Sequence, residues 1–237
     1  MLEKTKLVRF LLESGTLKFG DFVLEGGVRS PYTIDTDKLD SGMSLSRMGS
    51  YLARSIYEKM EMDVVPWNTT ILFGLPCQGV TLATAASVAL AAAFDLDFGC
   101  TFNRKGADAC GPDGVFVGKK PEAGDMIIIV DDYITTGAAL RNTIDLLKMH
   151  APEAEVVGSV IAIDRKERGR DRRLSAVAEA EYELGIPIIS LIDIIEVLSI
   201  LKSDGIERRR REGLMPGLPT QDQVDAIEKH LSENRAM

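Results

Sequence analysis

The residues best suited to chemistry lie in one segment, MIIIVDDYITTGAAL, over residues 126–140. Its apolar run predicts a buried strand, and that strand ends in two acids, Asp131 and Asp132. The small residues that follow predict a turn and a helix start, where backbone N–H groups can close on a phosphate. Carboxylates at the carboxyl end of such a strand suit ribose hydroxyls or a hydrated Mg²⁺. The segment therefore predicts a sugar-phosphate site rather than a capped helix and an ordinary turn.

A second segment, FNRKGADACGPDG, places two cations in a glycine-rich loop. Arg104 and Lys105 directly follow a short apolar run, and three glycines and a proline follow them. A mobile cationic loop of this kind can close over a pyrophosphate and exclude water. The alternative from the residues alone is a solvated surface hairpin.

The composition excludes several other kinds of site. The chain has 237 residues and a formal net charge of -8, which disfavours general binding of nucleic acid or of an anionic membrane. Two histidines, His150 and His230, leave little room for a histidine metal site or a Ser-His-Asp hydrolase. Cys77, Cys100 and Cys110 are odd in number and lack a CxxC spacing, as expected in a reducing compartment. Without a signal-like N-terminus, the chain is expected to be a soluble cytoplasmic protein.

The elements that position these residues follow from the hydrophobic pattern. After a first amphipathic helix, residues 17–39 alternate apolar residues with Gly and Pro, which indicates short antiparallel strands. From Thr70 onward, apolar β-rich runs alternate with longer helical ones, a pattern typical of βαβ units around a parallel sheet. The tail from Asp204 reads as a linker with four arginines, 208–211, followed by an amphipathic helix. The arginines fit a solvated helix end better than a phosphate or partner site.

Residues 126–140 also resemble the phosphoribosyl-pyrophosphate (PRPP) motif of the type I phosphoribosyltransferases. In that family the acidic pair lies beside the ribose hydroxyls, and the TTGAA loop holds the 5-phosphate. Four more segments are similar, in order and spacing, to orotate phosphoribosyltransferases: LKFGDFVLEGGVRSPYTID, FGLPCQGVTLAT, FNRKGADACG and IDRKERGR. The resemblance spans roughly residues 1–203.

This resemblance implies an α/β fold of the type I phosphoribosyltransferase kind, with a central parallel sheet flanked by helices. A small hood of one helix and a β-hairpin would occupy about residues 1–40, and the PRPP-binding core about residues 66–200. Residues 204–237 would form a C-terminal extension of linker plus helix. The implied reaction is the Mg²⁺-dependent transfer of phosphoribosyl from PRPP to orotate in pyrimidine biosynthesis. A homodimer is implied as well, with the Arg104 loop reaching the partner's site.

The resemblance also implies roles for individual residues. The catalytic residues would be Arg104, Lys105, Asp131 and Asp132, and the two acids would hold Mg²⁺ through water or ribose hydroxyls. Orotate would contact Thr33, Ile34, Thr135 and Arg165, with the guanidinium of Arg165 on the orotate carboxylate. PRPP would contact Cys77, Gln78, Arg104, Lys105, Asp131, Asp132, Tyr133, Ile134, Thr135, Thr136, Gly137, Ala138 and Ala139.

Several residues depart from the family pattern, and the departures remove positive charge. Asp108 and Cys110 stand where the family usually has a Lys and a His, and Glu25 replaces a Lys of many members. Cys77 and Gln78 replace an aromatic residue and a Lys of bacterial members. Two alternatives therefore stay open. One is a phosphoribosyltransferase for a different base. The other is a non-catalytic PRPP or nucleotide regulator whose tail binds a partner.

Overall fold

The computed structural model describes residues 2–24, 27, 29–104, 114–170, 173–203 and 217–234. The strands are β1 Leu17–Val23, β2 Arg29–Ile34, β3 Ile71–Gly74, β4 Gly99–Asn103, β5 Phe116–Gly118, β6 Met126–Asp131, β7 Glu155–Asp164 and β8 Ile188–Asp193. The helices are α1 Leu2–Glu13, α2 Gly42–Glu61, α3 Gln78–Phe94, α4 Ala138–His150, α5 Ala176–Leu184, α6 Ile194–Ser203 and α7 Gln221–Asn234. A 3₁₀ turn over Thr36–Lys38 links the hairpin β1–β2 to α2.

The central sheet has the strand order β5-β4-β3-β6-β7-β8. Strands β4, β3, β6, β7 and β8 are parallel, as the alternation of β-rich and helical runs predicts. Only the short edge strand β5 runs antiparallel among the described strands of this sheet. The carboxyl ends of β3, β6 and β7 therefore meet at one edge, where ligands of α/β sheets bind.

The continuous apolar runs of the central strands are covered on both faces. Ile128 and Val130 of β6 pack into a large core formed with α1, α2, α3, α6 and α7. Ile127 and Ile129 point the other way, into a smaller core formed with α4 and α5. Side chains alternate between the faces of a strand, so a strand buried on both faces needs apolar residues at every position. This explains the run MIIIV.

Helices α2 and α3 pack closely on one face of the sheet. The start of α2 has a capping box, in which Ser41 Oγ accepts from the Ser44 N–H and Ser44 Oγ accepts from the Ser41 N–H. A Cβ at Gly49 would lie 2.5 Å from the carbonyl oxygen of Ala85, so only glycine permits this approach of the two helices. No helix in the described part of the chain has the length and hydrophobicity needed to cross a bilayer.

Helix α1 and the hairpin β1–β2 form the hood, as expected from residues 17–39. The hairpin is a two-stranded antiparallel sheet of its own, with a register shift between Phe19 and Phe22. Its inner residues, such as Tyr32 and Ile34, belong to the larger core. The hood therefore shares its hydrophobic core with the sheet, and strand β2 leads directly to the edge where the acids lie.

Candidate active site

The acid pair lies at the carboxyl end of β6, as the sequence predicts. Asp131 is the last residue of the strand and Asp132 follows it. The carboxylate of Asp132 accepts from its neighbour, since Oδ1 lies 2.8 Å from the backbone nitrogen of Tyr133. Its Oδ2 accepts from the hydroxyl of Thr36, a buried residue of the 3₁₀ turn after the hood. The turn therefore fixes the orientation of Asp132.

Asp131 has a strongly perturbed acidity. Burial raises its pKa first, and the negative charge of Asp132 adds to this, so that the pKa is about 8. Helix α3 contributes to this burial, because a Cβ at Gly79 would lie 3.4 Å from Asp131 Oδ1 and 2.4 Å from the carbonyl oxygen of Val130. A buried acid beside a second acid is a place where a cation or a hydrogen-bond donor of a ligand is favoured.

Asp131 should make the stability of the fold depend on pH. Because its folded-state pKa is raised, the folded protein holds more protons than the unfolded chain between about pH 4 and pH 8. The free energy of unfolding therefore falls as the pH rises through this range, and Asp131→Asn removes that loss. We expect the variant to exceed the wild type by about 1–3 kcal/mol at pH 8.5 and by little at pH 4.5. Urea unfolding at both pH values measures this, and an equal difference at both would contradict it.

The turn after the acids lies where the sequence predicts a phosphate cradle. Thr135, Thr136, Ala138 and Ala139 are exposed, whereas Ile134 and Gly137 are buried. Gly137 precedes α4 with a φ of 71°, a conformation that glycine adopts without strain. The exposed start of this helix can therefore present backbone N–H groups to an anion.

A basic side chain also lies beside this turn. Arg141, in the first turn of α4, donates from Nη2 to the carbonyl oxygen of Thr136. Its Nη1 lies 2.6 Å from Glu183 Oε2. Arg141 thus braces the turn from α4, and Glu183 balances its charge.

The loop between β3 and α3 lies at the same edge. Cys77, exposed and just before α3, has a φ of 79° and a ψ of −115°, a conformation that is strained for a residue with a side chain. Gln78 begins the helix and donates from Nε2 to Asp37 Oδ1, in the 3₁₀ turn that also holds Asp132. The two residues that the resemblance implies for pyrophosphate thus lie beside the turn that leads from the hood.

Arg165 lies just beyond the end of β7, close to the hood. Its guanidinium is buried and paired with Glu167, with Nη2 to Oε1 at 2.8 Å and Nε to Oε2 at 3.2 Å. Its other contacts come from β2: Nη2 lies 3.4 Å from Ser30 Oγ, and the guanidinium carbon is 4.5 Å from the centre of the Tyr32 ring. Thr33 is half-buried and Ile34 is buried in the core. The structure therefore brings Arg165 and the SPYTID strand together.

The cationic loop is described only at its two ends. Arg104 is exposed at the carboxyl end of β4, which is separated from β6 by β3, and its N–H donates to the carbonyl oxygen of Val115 at 3.0 Å. Lys105 lies outside the described residues. So do the departures Glu25, Asp108 and Cys110, and the arginines 208–211.

Sequence reasoning missed residues that support the site from elsewhere in the chain. Thr36 donates to Asp132, and Asp37 accepts from Gln78. Glu167 pairs with Arg165. His230 of α7 contacts Glu167, with Nε2 at 3.1 Å from Oε1. One of the segments that resemble the family ends at Asp35, just before Thr36, and another includes Glu167. No local sequence pattern indicates which residues these side chains contact. His230 carries no sequence signal of this contact.

The residues present fit a magnesium ion shared with a substrate. Mg²⁺ is commonly bound by one or two carboxylates together with substrate phosphates and water. Asp131 and Asp132 offer that number of carboxylates at the edge where the phosphate turn begins. Within the described ranges, no group of three or more His, Cys, Asp or Glu residues could hold a metal by itself.

Comparisons with known proteins agree with this geometry. A model of the phosphoribosyl transferase domain matches residues 46–178. Orotate phosphoribosyltransferase of Bifidobacterium longum (strain NCC 2705) is 37% identical over 192 residues, covering 81% of this chain and 83% of that protein. The enzyme of the same name from Pseudomonas putida (strain W619) is 39% identical over 198 residues, covering 83% and 87%.

A solved structure is similar over nearly the whole chain. The crystal structure of orotate phosphoribosyltransferase from Francisella tularensis superposes with a TM-score of 0.76 at 25% identity. The match covers 98% of this chain and 100% of that one. The fold expected from the sequence, a mostly parallel sheet with an N-terminal helix and hairpin, is thereby confirmed.

Proposed function

This chain belongs to the orotate phosphoribosyltransferase family, and we propose that it binds PRPP and orotate at the carboxyl edge of its sheet. Membership makes it a pentosyltransferase of pyrimidine biosynthesis. The observation that carries the proposed binding mode is the shared edge: the acids after β6, the phosphate turn and Arg165 after β7 all lie there. A cytoplasmic location is part of the same proposal.

In the proposed reaction a ring nitrogen of orotate forms a bond to C1 of the ribose. The bond from C1 to the pyrophosphate oxygen breaks, the electron pair leaves with pyrophosphate, and the proton of the ring nitrogen is released to water. Positive charge develops on the sugar during this exchange, so the carboxylates of Asp131 and Asp132 are placed to hold the ribose and favour that charge. The chain supplies position and electrostatics, and no covalent intermediate with the protein is needed.

Different parts of the chain would bind different groups of PRPP. The turn Thr135–Ala139 would bind the 5-phosphate through backbone N–H groups and the hydroxyls of its threonines. The loop at Cys77 and Gln78, with Arg104 and Lys105, would face the pyrophosphate. Mg²⁺, when bound at the acid pair, would neutralise pyrophosphate charge as the bond to C1 breaks.

Arg165 would recognise orotate by binding the carboxylate of the base. Glu167 occupies the edge of the guanidinium formed by Nε and Nη2, which leaves Nη1 to meet a second carboxylate. A planar guanidinium buried against Tyr32 has little freedom, so its donors are aimed before orotate arrives. This selects an acidic pyrimidine over a neutral one.

The test is an orotate assay with purified protein, PRPP and Mg²⁺, following the loss of orotate absorbance. Orotidine 5'-monophosphate and pyrophosphate are expected in equal amounts, and chelation of Mg²⁺ should stop their formation. Uracil, adenine, guanine and hypoxanthine in the same assay address the alternative of a different base. PRPP binding without turnover of any base would support a regulator and sink the proposal.

A groove between α2 and α3 supports the proposed homodimer. Its volume is 820 Å³, and its lining is mostly apolar and small residues of both helices, such as Leu45 and Ala85, with Arg47 and Arg54 among them. Val88 of α3 lines the groove and is 66% exposed. An exposed apolar surface of this kind is typical of a protein interface. None of the acid-pair or phosphate-turn residues lines this groove, so a partner seated here leaves the sheet edge accessible.

Val88→Asp is expected to convert the dimer to monomer. A carboxylate buried at the interface without a partner should weaken association at least about 100-fold. Sedimentation velocity across a range of protein concentrations measures this. Met149→Asp, an exposed apolar residue of α4 on the other face of the sheet, is the matched control and should leave the dimer intact. A dimer that survives Val88→Asp places the interface elsewhere.

A further inference from the structure

Helix α7 packs on the hood of its own chain. Val224, Ile227 and Leu231 form its buried side and belong to the large core. Gln223 Nε2 donates to the carbonyl oxygen of Phe19 in β1 at 3.0 Å. The apolar face of α7 is therefore covered by this chain, which argues against a helix that serves only to bind another protein.

The far end of α7 reaches the loop that carries Arg165. The backbone N–H of Arg168 donates to the carbonyl oxygen of Asn234 at 2.9 Å. His230, one turn earlier, lies 3.1 Å from Glu167 Oε1 through Nε2. Its other ring nitrogen, Nδ1, lies 3.3 Å from Asn234 Nδ2, which is a donor. Since Nδ1 accepts there, the proton of a neutral ring is on Nε2 and points to Glu167.

Glu167 is the centre of a small network. Its Oε1 accepts from Arg165 Nη2 at 2.8 Å and from the hydroxyl of Tyr32 at 2.7 Å, in addition to His230. Burial favours the neutral acid, but the Arg165 guanidinium and the hydrogen bonds from Tyr32 and His230 outweigh it and hold the pKa of the carboxyl below its usual value. The carboxylate is thus kept ionised, and it orients the guanidinium by accepting from both Nε and Nη2 of Arg165.

We propose that His230 is a positioning residue for base binding, which acts on Arg165 through Glu167. It fixes the Glu167 carboxylate, and Glu167 fixes the guanidinium so that Nη1 meets the carboxylate of the base. The proposal rests on the proposed role of Arg165 in holding orotate. It gives α7 a part in substrate recognition, although His230 lies 65 residues beyond Arg165 in the chain.

The experiment compares His230→Leu with His230→Gln by steady-state kinetics on the full chain. His230→Leu removes the donor, so the KM for orotate should rise about tenfold, as expected for one charge-assisted hydrogen bond. The KM for PRPP and kcat should change less than about twofold, because the acid pair and phosphate turn are untouched. His230→Gln should keep the orotate KM within about threefold of wild type, since its amide can still donate to Glu167.

Val224→Ala is the matched control for a purely structural effect. Val224 is buried on the same helix, near the hood rather than near Glu167. Val224→Ala should lower the unfolding temperature about as much as His230→Leu while leaving the KM for orotate unchanged. An unchanged KM in His230→Leu, an equal rise in both KM values, or no recovery in His230→Gln would overturn the proposal. Absence of orotate turnover in the wild type would instead refute the proposed function, and with it this role.

Discussion

The double variant Asp131→Asn, Asp132→Asn should lose at least about 1,000-fold in kcat/KM, equivalent to about 4 kcal/mol of transition-state stabilisation. The PRPP motif itself brings two carboxyl groups to the ribose, and bound Mg²⁺ would favour the ionised form of both, despite the raised pKa of Asp131. Neither residue can ionise in the variant. The developing positive charge on the sugar would lose its counter-charge, and Mg²⁺ would lose its protein anchor. The loss should appear mainly in kcat and in PRPP affinity.

The asparagine substitutions keep the shape of the site. Oδ1 of residue 132 can still accept from the Tyr133 N–H, and the hydroxyl of Thr36 can accept from the new amide where it now donates to Oδ2. Removing a buried acid with a raised pKa should not destabilise the fold near neutral pH. A large loss of activity therefore cannot be explained by unfolding.

Isothermal titration with PRPP and Mg²⁺ measures the loss of PRPP affinity, and the orotate assay measures the loss of kcat. Asp97→Asn is the control, because Asp97 is an exposed acid just before β4, at the opposite end of the sheet, and its removal changes the net charge equally per site. It should leave kcat/KM within about twofold, as surface changes usually do. A double variant that keeps more than about a tenth of wild-type kcat/KM would show that the acid pair is not at the reacting centre.

The central sheet was predictable because its signal is local. Every position of Ile127–Val130 is apolar, and only a strand covered on both faces needs that. Asp131 and Asp132 come at the end of this strand, and parallel strands have their carboxyl ends at the same edge of the sheet. The edge that holds Asp131 and the start of α4 therefore follows from pattern and topology rules, without knowledge of any distance.

The contacts that orient the site were not predictable, because they join parts of the chain far apart. Thr36 is 96 residues from Asp132, and Gln78 is 41 residues from Asp37. Hydrophobic periodicity indicates which side of the hood is buried but not where the 3₁₀ turn after it meets the sheet. These pairings depend on how the hood docks, which is set by the packing of the shared core.

Helix α7 shows the same limit from the other end of the chain. Its amphipathic pattern predicts a helix, and the structure has one over Gln221–Asn234. The pattern does not say what covers the apolar face, and a partner protein was one interpretation. The face is buried by the hood of this chain instead, and this brings His230 to Glu167. The rarity of histidine in the sequence carries no information about such a contact.

Arg165→Met is expected to raise the KM for orotate at least about 100-fold, because the buried donor for its carboxylate is lost. The KM for PRPP should change little. Arg170→Met is the control five residues on, where the half-exposed guanidinium pairs with Glu183 at 2.6 Å and with the buried Glu179 at 3.4 Å. Its loss should lower the free energy of unfolding by about 1–3 kcal/mol, mostly through Glu179, whereas the Arg165 guanidinium keeps its own pair with Glu167. The kinetics of Arg170→Met should resemble the wild type.

A second substitution separates recognition from stability at this site. In Arg165→Met the Glu167 carboxylate is left in a partly buried place without its cation, which should lower the free energy of unfolding by about 3 kcal/mol. Adding Glu167→Gln removes that charge and still accepts from Tyr32 and His230, so stability should largely return. The orotate KM should not return, because no guanidinium is present to meet the substrate. Recovery of both would mean that Arg165 serves the fold alone. Recovery of stability without orotate binding ties the guanidinium to the base.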